Sequence, residues 1–194
     1  ATGLRHILRQ DPDIVMVGEI RDKETADIAI RAALTGHLVF STLHTNDAPG
    51  AVTRLIDMEV EPFLLASSLE AVLAQRLVRK ICASCKEPYK PDENLIRNLN
   101  SSVEIKPDRK LYRGAGCSEC MQSGMRGRTG IFELLRVTDS LRELIASRPT
   151  TEQIIKAAPP DHIGMRYDGI AKILDGVTTP EEVLRVTQGI GEEE

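Results

Sequence analysis

Hydrophobic positions near the start of the chain change from helical spacing to short continuous runs. Residues 4–8 have helical spacing, and residues 11–13, which include a proline, break it. Residues 14–17 then form a continuous apolar run that ends at Gly18 and Glu19. A run of this length between turn residues is typical of a strand that is buried on both faces.

The next stretch predicts a second helix and a second strand. Asp22 or Thr25 can cap the helix, whose apolar positions stop at Gly36. Residues 37–43 form another apolar segment, which we expect to be a buried strand. Two strands separated by one helix favour a largely parallel sheet with helices packed on it, so the predicted fold class is α/β.

Polar residues follow both predicted strands, at residues 18–22 and 42–47. Ligands of parallel sheets bind beyond the carboxyl ends of the strands, so function is expected there. A strand that ends in an acidic residue is the usual second half of a P-loop site, where the carboxylate reaches Mg²⁺ or the attacking water. Glu19 occupies that place, and His44 lies among small donors where a γ-phosphate would sit. Both are therefore predicted catalytic residues.

Arg21, His37 and Thr42 are the predicted nucleotide-binding residues. His37 and His44 are seven positions apart along a strand whose side chains alternate, so they should face opposite ways and not share one metal ion. For His37, a hydrogen-bonded histidine at the entrance of a strand is an equally good interpretation.

The sequence contains no G-x-x-x-x-G-K-[ST] motif, because none of its 14 glycines is followed by lysine. That motif supplies the backbone N–H groups and the lysine that hold the β- and γ-phosphates. These residues alone are therefore not expected to hydrolyse ATP. The chain opens with Ala1 inside a predicted helix, so we expect it to be a fragment whose phosphate-binding loop comes from earlier residues.

Further elements follow the second strand. Helices are predicted over residues 48–58 and 61–75, and a third is indicated near residues 94–99. Residues 76–128 are basic, rich in turns and contain all the cysteines, and helical periodicity returns from Phe132 onward.

These changes predict three consecutive domains. Residues 1–75 would form part of an ATPase core, residues 76–130 a tetracysteine metal subdomain, and residues 131–194 a helical carboxyl-terminal subdomain.

The cysteines form two C-x-x-C knuckles, Cys82–Cys85 and Cys117–Cys120, separated by 31 residues. Each knuckle can offer two thiolates, and two knuckles complete the tetrahedron that Zn²⁺ prefers. Protein sulfur would fill all four positions, so the predicted zinc has a structural role. Four unmetallated cysteines, a pair of disulfides and an iron–sulfur cluster remain alternatives.

Composition argues against a nucleic-acid partner. The 25 basic and 29 acidic residues give a net charge of −4, and aromatic residues make up only 3% with no tryptophan. A nucleic-acid surface needs basic charge and often aromatic stacking. The chain also has no apolar run of 18 residues, the length that a membrane-spanning helix requires.

Several segments resemble the secretion ATPases that drive type II secretion and type IV pilus assembly. Residues 4–25 (LRHILRQDPDIVMVGEIRDKET) resemble the Walker B segment of that family, and residues 35–47 (TGHLVFSTLHTND) resemble its histidine box. The similarity continues through the tetracysteine region and through residues 126–135 and 178–184.

The resemblance implies a partial RecA-like P-loop core, a tetracysteine zinc subdomain and a small helical region. It implies a hexameric motor, peripheral to the inner membrane on its cytoplasmic side, that binds ATP and Mg²⁺ and docks on inner-membrane platform proteins. Glu19 would act on Mg²⁺ or the lytic water, and His44 on the γ-phosphate. The tetracysteine region favours assembly or secretion motors over retraction motors.

Two other functions remain open at this point. One is a non-enzymatic zinc-stabilised docking module, in which the sheet is only a platform. The other is a zinc-ribbon nucleic-acid binder, which the acidic balance disfavours.

Overall fold

The computed structural model describes residues 2–10, 12–99 and 109–187. These residues divide between two compact units, each built from two separate stretches of chain. The first unit is Ala1–Leu73 with Leu134–His162, and the second is Ala74–Glu133 with Ile163–Glu194. The predicted boundaries after residues 75 and 130 lie close to two of the three chain crossings between the units, and the three-domain division stays a prediction.

The helices within the described residues are α1 Thr2–Leu8, α2 Lys23–Leu34, α3 Ala48–Asp57, α4 Pro62–Ser68, α5 Glu93–Leu99, α6 Asp139–Ala146, α7 Thr151–Lys156, α8 Met165–Leu174 and α9 Pro180–Thr187. The strands are β1 Ile14–Val17, β2 Leu38–Ser41, β3 Ala71–Ile81, β4 Lys86–Tyr89, β5 Leu111–Gly114 and β6 Met125–Arg136. They form three two-stranded sheets, β1 with β2, β3 with β6, and β4 with β5. The mixture of helices and strands confirms the predicted α/β class.

The first two strands and the helix between them form the predicted parallel unit. β1 and β2 are parallel, with Ile14 opposite Leu38 and Val17 opposite Ser41. The Asp22 side chain caps α2 by accepting a hydrogen bond from the Thr25 backbone N–H at 2.8 Å, which decides between the two predicted caps. α2 therefore begins directly after the polar residues that follow β1, and it returns the chain to the start of β2.

Burial of these two strands differs from the prediction. Val15 is buried, whereas Ile14, Met16, Leu38 and Phe40 are exposed. Side chains alternate between the faces of a sheet, so the exposed residues share one face. The strands are thus buried on one face within the described residues, because nothing there covers the other. β2 is also shorter than the predicted 37–43, since its regular pairing ends at Ser41.

The helix predicted over residues 61–75 is wrong beyond Ser68. α4 ends there, and β3 begins at Ala71. Exposed and less exposed positions alternate from Ala71 to Val78, which is the period of a strand and not of a helix. Apolar residues such as Val72 and Leu73 fit both periods over so short a run, so the ambiguity comes from the sequence itself.

The helix predicted from Phe132 onward is also wrong in its first turn. Residues 132–136 belong to β6, where Ile131 and Leu135 are buried and Phe132 and Leu134 are exposed. This alternation has period two. Helical structure resumes at Asp139, the first residue of α6.

The second unit has its own apolar core. β4 and β5 pair antiparallel, with Tyr89 opposite Leu111. The third predicted helix is confirmed as α5. One cluster joins residues of α5, β5, α8 and α9: Ile96, Leu99, Leu111, Ile170, Ile173 and Val183. This core supports the β4–β5 pair, in which Lys86, next to Cys85, lies opposite Gly114, close to Cys117.

Candidate functional site

The carboxyl ends of β1 and β2 meet at one edge of their sheet, as parallel strands must. Two hydrogen bonds tie the segments that follow the strands. The Ile20 backbone N–H donates to the Thr42 carbonyl at 3.0 Å, and the Thr42 hydroxyl donates to the Gly18 carbonyl at 2.6 Å. These bonds fix the backbone on either side of Glu19.

Glu19 lies between two cationic or polarisable groups at this edge. The His44 Nε2 is 2.7 Å from one carboxylate oxygen of Glu19. The Arg21 guanidinium donates to the other oxygen at 2.5 Å. The Glu19 side chain is 19% exposed and that of His44 is 86% exposed. The imidazole is thus open to a ligand, while the carboxylate is held from both sides.

Electrostatics favours the ionised form of Glu19. The hydrogen bond from Arg21 holds the pKa of the Glu19 carboxyl below its usual value of 4.5, against a smaller opposing effect of desolvation, and the charges of Arg21 and His44 act in the same direction as that bond. The pKa of Arg21 is raised in turn by the same contact. An ionised carboxylate can accept a proton from water or bind Mg²⁺.

His37 lies at the opposite end of β2. Its Nδ1 is 3.0 Å from the Ala32 carbonyl and 3.2 Å from the Thr35 hydroxyl. Thr42 is five positions further along the extended chain, a distance of roughly 16 Å. The structure therefore gathers Glu19, Arg21, Thr42 and His44 at one edge and places His37 at the end of α2, so its role in nucleotide binding stays a prediction.

The four predicted cysteine ligands converge in the second unit. Their sulfur atoms all lie within 4.8 Å of one another, and the separation is 3.9 Å for Cys82–Cys117, 3.8 Å for Cys85–Cys120 and 3.7 Å for Cys117–Cys120. Four sulfurs around one zinc ion at ~2.3 Å would be about 3.8 Å apart. A disulfide needs about 2.05 Å. The donor set and spacing thus fit one tetrahedral metal ion.

Backbone N–H groups point at two of the sulfurs. Gly116 N donates to Cys85 Sγ at 3.3 Å, Cys117 N donates to Cys120 Sγ at 3.2 Å, and Gly124 N donates to Cys120 Sγ at 3.3 Å. Such bonds stabilise the thiolate form that metal binding requires. The turns that follow each first cysteine, Ala83–Cys85 and Ser118–Cys120, contain the two cysteines whose sulfurs accept these bonds.

The thiols differ in how readily they ionise. For Cys120, burial is the largest single effect and acts to raise the pKa, but the N–H bonds from Cys117 and Gly124 and the contacts with the Cys117 and Cys85 thiols together outweigh it and lower the pKa to about 6. Burial raises the pKa of Cys85 to about 12. One thiolate is therefore favoured in advance, and a divalent cation would be needed to stabilise the other charges.

Two glycines allow the backbone before the second knuckle to approach the backbone after it. A Cβ built on Gly114 would lie 2.0 Å from the Gly124 carbonyl oxygen, and one on Gly124 would lie 2.5 Å from the Gly114 oxygen. Gly124 also has a φ of +72°, which side-chain-bearing residues rarely adopt. The backbones are thus in direct contact beside Cys120.

Two polar residues beside the metal-binding turns were missed by the sequence prediction. Ser84 and Glu119 each precede the second cysteine of a knuckle, and the Ser84 hydroxyl donates to Glu119 Oε2 at 2.9 Å. Their matching positions within the two C-x-x-C motifs are a signal that could have found them.

No helix among the residues that the structure describes has the length and apolarity to cross a membrane.

Comparison with known proteins shows that most of the chain matches one protein family. The family described as "Type II/IV secretion system protein" matches residues 1–185. The type II secretion system protein E of Pseudomonas aeruginosa is 57% identical over 188 residues, which are 97% of this chain and 37% of that protein. The type IV pilus assembly ATPase TfpB of Acinetobacter baylyi is 50% identical, over 96% of this chain and 32% of that protein.

Solved structures give the same fold. The pilus retraction motor PilT, solved with bound ADP, has a TM-score of 0.66 and 26% identity, covering 100% of this chain and 45% of that one. The ATPase DotB of Legionella pneumophila has a TM-score of 0.63 and 21% identity, over 96% of this chain and 42% of that one. The chain spans about a third of the length of the curated relatives it matches.

Proposed function

The chain belongs to the type II/IV secretion system protein family, and from that premise we propose that it forms part of the ATPase motor of a type II secretion or type IV pilus assembly machine. Relatives that are 57% and 50% identical carry those two names. The structurally similar retraction motor is only 26% identical, which favours assembly or secretion over retraction.

The observation that carries the catalytic proposal is the placement of Glu19 between Arg21 and His44 at the sheet edge. The ionised Glu19 would bind Mg²⁺ or orient the attacking water, and the exposed imidazole of His44 would contact the γ-phosphate. Arg21 and Thr42 would contribute to nucleotide binding, Arg21 through its positive charge and Thr42 by fixing the backbone of the site.

ATP hydrolysis also needs a phosphate-binding loop, and the motif for it does not occur in these 194 residues. We propose that another part of the working protein supplies that loop and that the 194 residues alone are inactive. When bound, Mg²⁺ would neutralise the charge that develops on the phosphates.

The cysteine cluster would hold a structural zinc ion. Four thiolates fill a tetrahedron and leave no open position for water, which distinguishes structural from catalytic zinc. Cys82, Cys85, Cys117 and Cys120 would be its ligands. Zinc would supply folding energy to the second unit rather than chemistry.

The proposal extends to the setting of the motor. We propose a hexamer on the cytoplasmic side of the inner membrane, docked on platform proteins of the secretion or pilus machine. Family membership and the names of the relatives support a place in a secretion or pilus assembly machine, and the hexamer, its location and its platform partners are what the resemblance to secretion ATPases implies.

The test is ATP turnover by the protein that contains these residues together with its phosphate-binding loop. Glu19→Gln keeps the size of the side chain and removes its charge. We expect turnover to fall roughly 100-fold or more, because proton transfer or Mg²⁺ binding is lost, while nucleotide binding measured with a fluorescent ATP analogue persists. Glu24→Gln is the matched control, since Glu24 is an exposed carboxylate of the same unit that pairs with Arg5.

Unchanged turnover in Glu19→Gln would remove Glu19 from the mechanism. Equal losses in Glu19→Gln and Glu24→Gln would mean that the effect is general and not catalytic.

A further inference from the structure

The two cysteine knuckles are joined by a polar contact outside the sulfur cluster. Ser84 of the first knuckle donates its hydroxyl to Glu119 Oε2 of the second at 2.9 Å. Arg126, near the start of β6, donates to the same oxygen at 2.6 Å. One carboxylate oxygen therefore receives hydrogen bonds from the other knuckle and from the strand that follows.

This contact spans a long sequence separation. Ser84 and Glu119 are 35 residues apart, so the bond closes a long loop of chain. The backbone on either side of the second knuckle adds further links to the first: Ala115 N donates to the Cys85 carbonyl at 2.9 Å, Cys82 N donates to the Gly124 carbonyl at 2.9 Å, and Gly116 N donates to Cys85 Sγ at 3.3 Å. Release of a metal ion held by both knuckles requires their sulfurs to separate, and a bond between the knuckles opposes that separation.

We propose that Ser84, Glu119 and Arg126 form a clasp that keeps the two knuckles together and slows release of the metal ion. They are positioning residues, because the hydrogen bonds that join them go to one another and not to a cysteine sulfur. The inference rests on the proposed metal centre and adds to it the residues that set how long the ion stays bound.

Charge explains the presence of Arg126. Four thiolates and one Zn²⁺ carry a net charge of −2, so a further carboxylate nearby would be repelled. Arg126 neutralises Glu119 and leaves its oxygen available as an acceptor for Ser84.

The solvent exposure of the clasp residues limits how much they slow release of the metal ion. The Glu119 and Arg126 side chains are 53% and 61% exposed, and exposed ion pairs contribute little. Outer residues that bond directly to metal ligands change affinity by 10–100-fold. The clasp bonds to no ligand atom, so we expect about a fivefold effect on the release rate, which is below that range.

The test is the rate at which the zinc-loaded protein releases zinc to an excess of a chromogenic chelator. Ser84→Ala and Glu119→Ala should each release zinc about fivefold faster than the wild type. A change of this size corresponds to the net contribution of one hydrogen bond. Ser84→Thr keeps the hydroxyl and should restore a rate within about twofold of the wild type. The Ser84→Ala/Glu119→Ala double variant should be no faster than the faster single variant, since both changes break the same bond.

Glu87→Ala is the matched control. Glu87 is an exposed carboxylate of β4 that pairs with Arg113 of β5 at 2.9 Å in the same unit, and it does not link the knuckles. Its release rate should equal that of the wild type.

Two outcomes would overturn the clasp. One is zinc release from Ser84→Ala at the wild-type rate, and the other is a double variant whose effect is the product of the single ones. A wild-type protein that binds no zinc would instead overturn the metal centre itself, so the two failures are distinguishable.

Discussion

Glu182 is a buried carboxylate whose replacement should destabilise the second unit. Its side chain is 4% exposed. It accepts hydrogen bonds from the Arg79 backbone N–H at 2.8 Å and the Arg79 guanidinium at 2.9 Å, and Arg185 donates at 3.0 Å. Glu182→Gln would keep the shape of the side chain and remove the charge that these donors stabilise.

The pKa of Glu182 gives the size of the expected loss of stability. Burial acts to raise it, but the hydrogen bonds from Arg79 and Arg185 together lower it from 4.5 to about 2. One pKa unit corresponds to 1.36 kcal/mol, so this lowering represents about 3 kcal/mol of stability at neutral pH. Arg79 and Arg185 are 58% and 57% exposed, and solvent screening reduces the value to about 2 kcal/mol.

The sign of the pH dependence follows from the direction of the shift. A carboxyl group whose pKa is lower in the folded state stabilises that state above its unfolded pKa of 4.5. The contribution is lost as pH falls from about 4.5 towards 2. Glu182→Gln has no such group, so the difference in stability between wild type and variant should shrink over the same interval.

Urea denaturation followed by circular dichroism, at pH 7 and at several values between 5 and 3, measures this difference. Glu152→Gln is the control, because Glu152 pairs with Lys156 on α7 but is 72% exposed, and little change is expected. A Glu182→Gln variant as stable as the wild type at pH 7, or a difference that does not vary with pH, would refute the reasoning.

Two further predictions concern the cysteine cluster. Removal of metal by a strong chelator should lower the melting temperature and the circular dichroism signal, because metal binding contributes folding energy; an unchanged melting curve would contradict a structural role. Gly124→Ala should destabilise the protein more than Gly127→Ala. Both glycines have positive φ, +72° and +78°, but only a Cβ on Gly124 meets another atom, the Gly114 carbonyl oxygen. Equal losses of melting temperature would show that the backbone contact is unimportant.

Local sequence signals were sufficient to predict the strand–helix–strand unit. An apolar run of four residues, a cap at Asp22 and a glycine at 36 each act within a few residues, and the structure has β1, α2 and β2 there. Parallel pairing then brings Glu19 and His44 together without further information. The spacing of the C-x-x-C motifs likewise predicted that the four cysteines converge.

Contacts between distant residues explain what the sequence did not reveal. β3 and β6 pair with each other, and their apolar residues fit a helix equally well until that pairing is known. Glu182 and Arg79 are 103 residues apart, and no local sequence pattern predicts their hydrogen bonds. Ser84 and Glu119 are 35 residues apart, and only their matching positions in the two C-x-x-C motifs connect them in the sequence.

The alternation of the two units along the chain has a consequence for biosynthesis. Residues 1–73 leave the ribosome before residues 134–162, which complete their unit, and the 60 residues from 74 to 133 are made in between. At 5–20 residues per second this interval lasts roughly 3–12 s. During that time α4 lacks the contact with Arg142, whose guanidinium donates a hydrogen bond to the Ala66 carbonyl near the end of α4. The apolar residues of α4 thus have no packing partner in α6 until residues 139–146 have been synthesised.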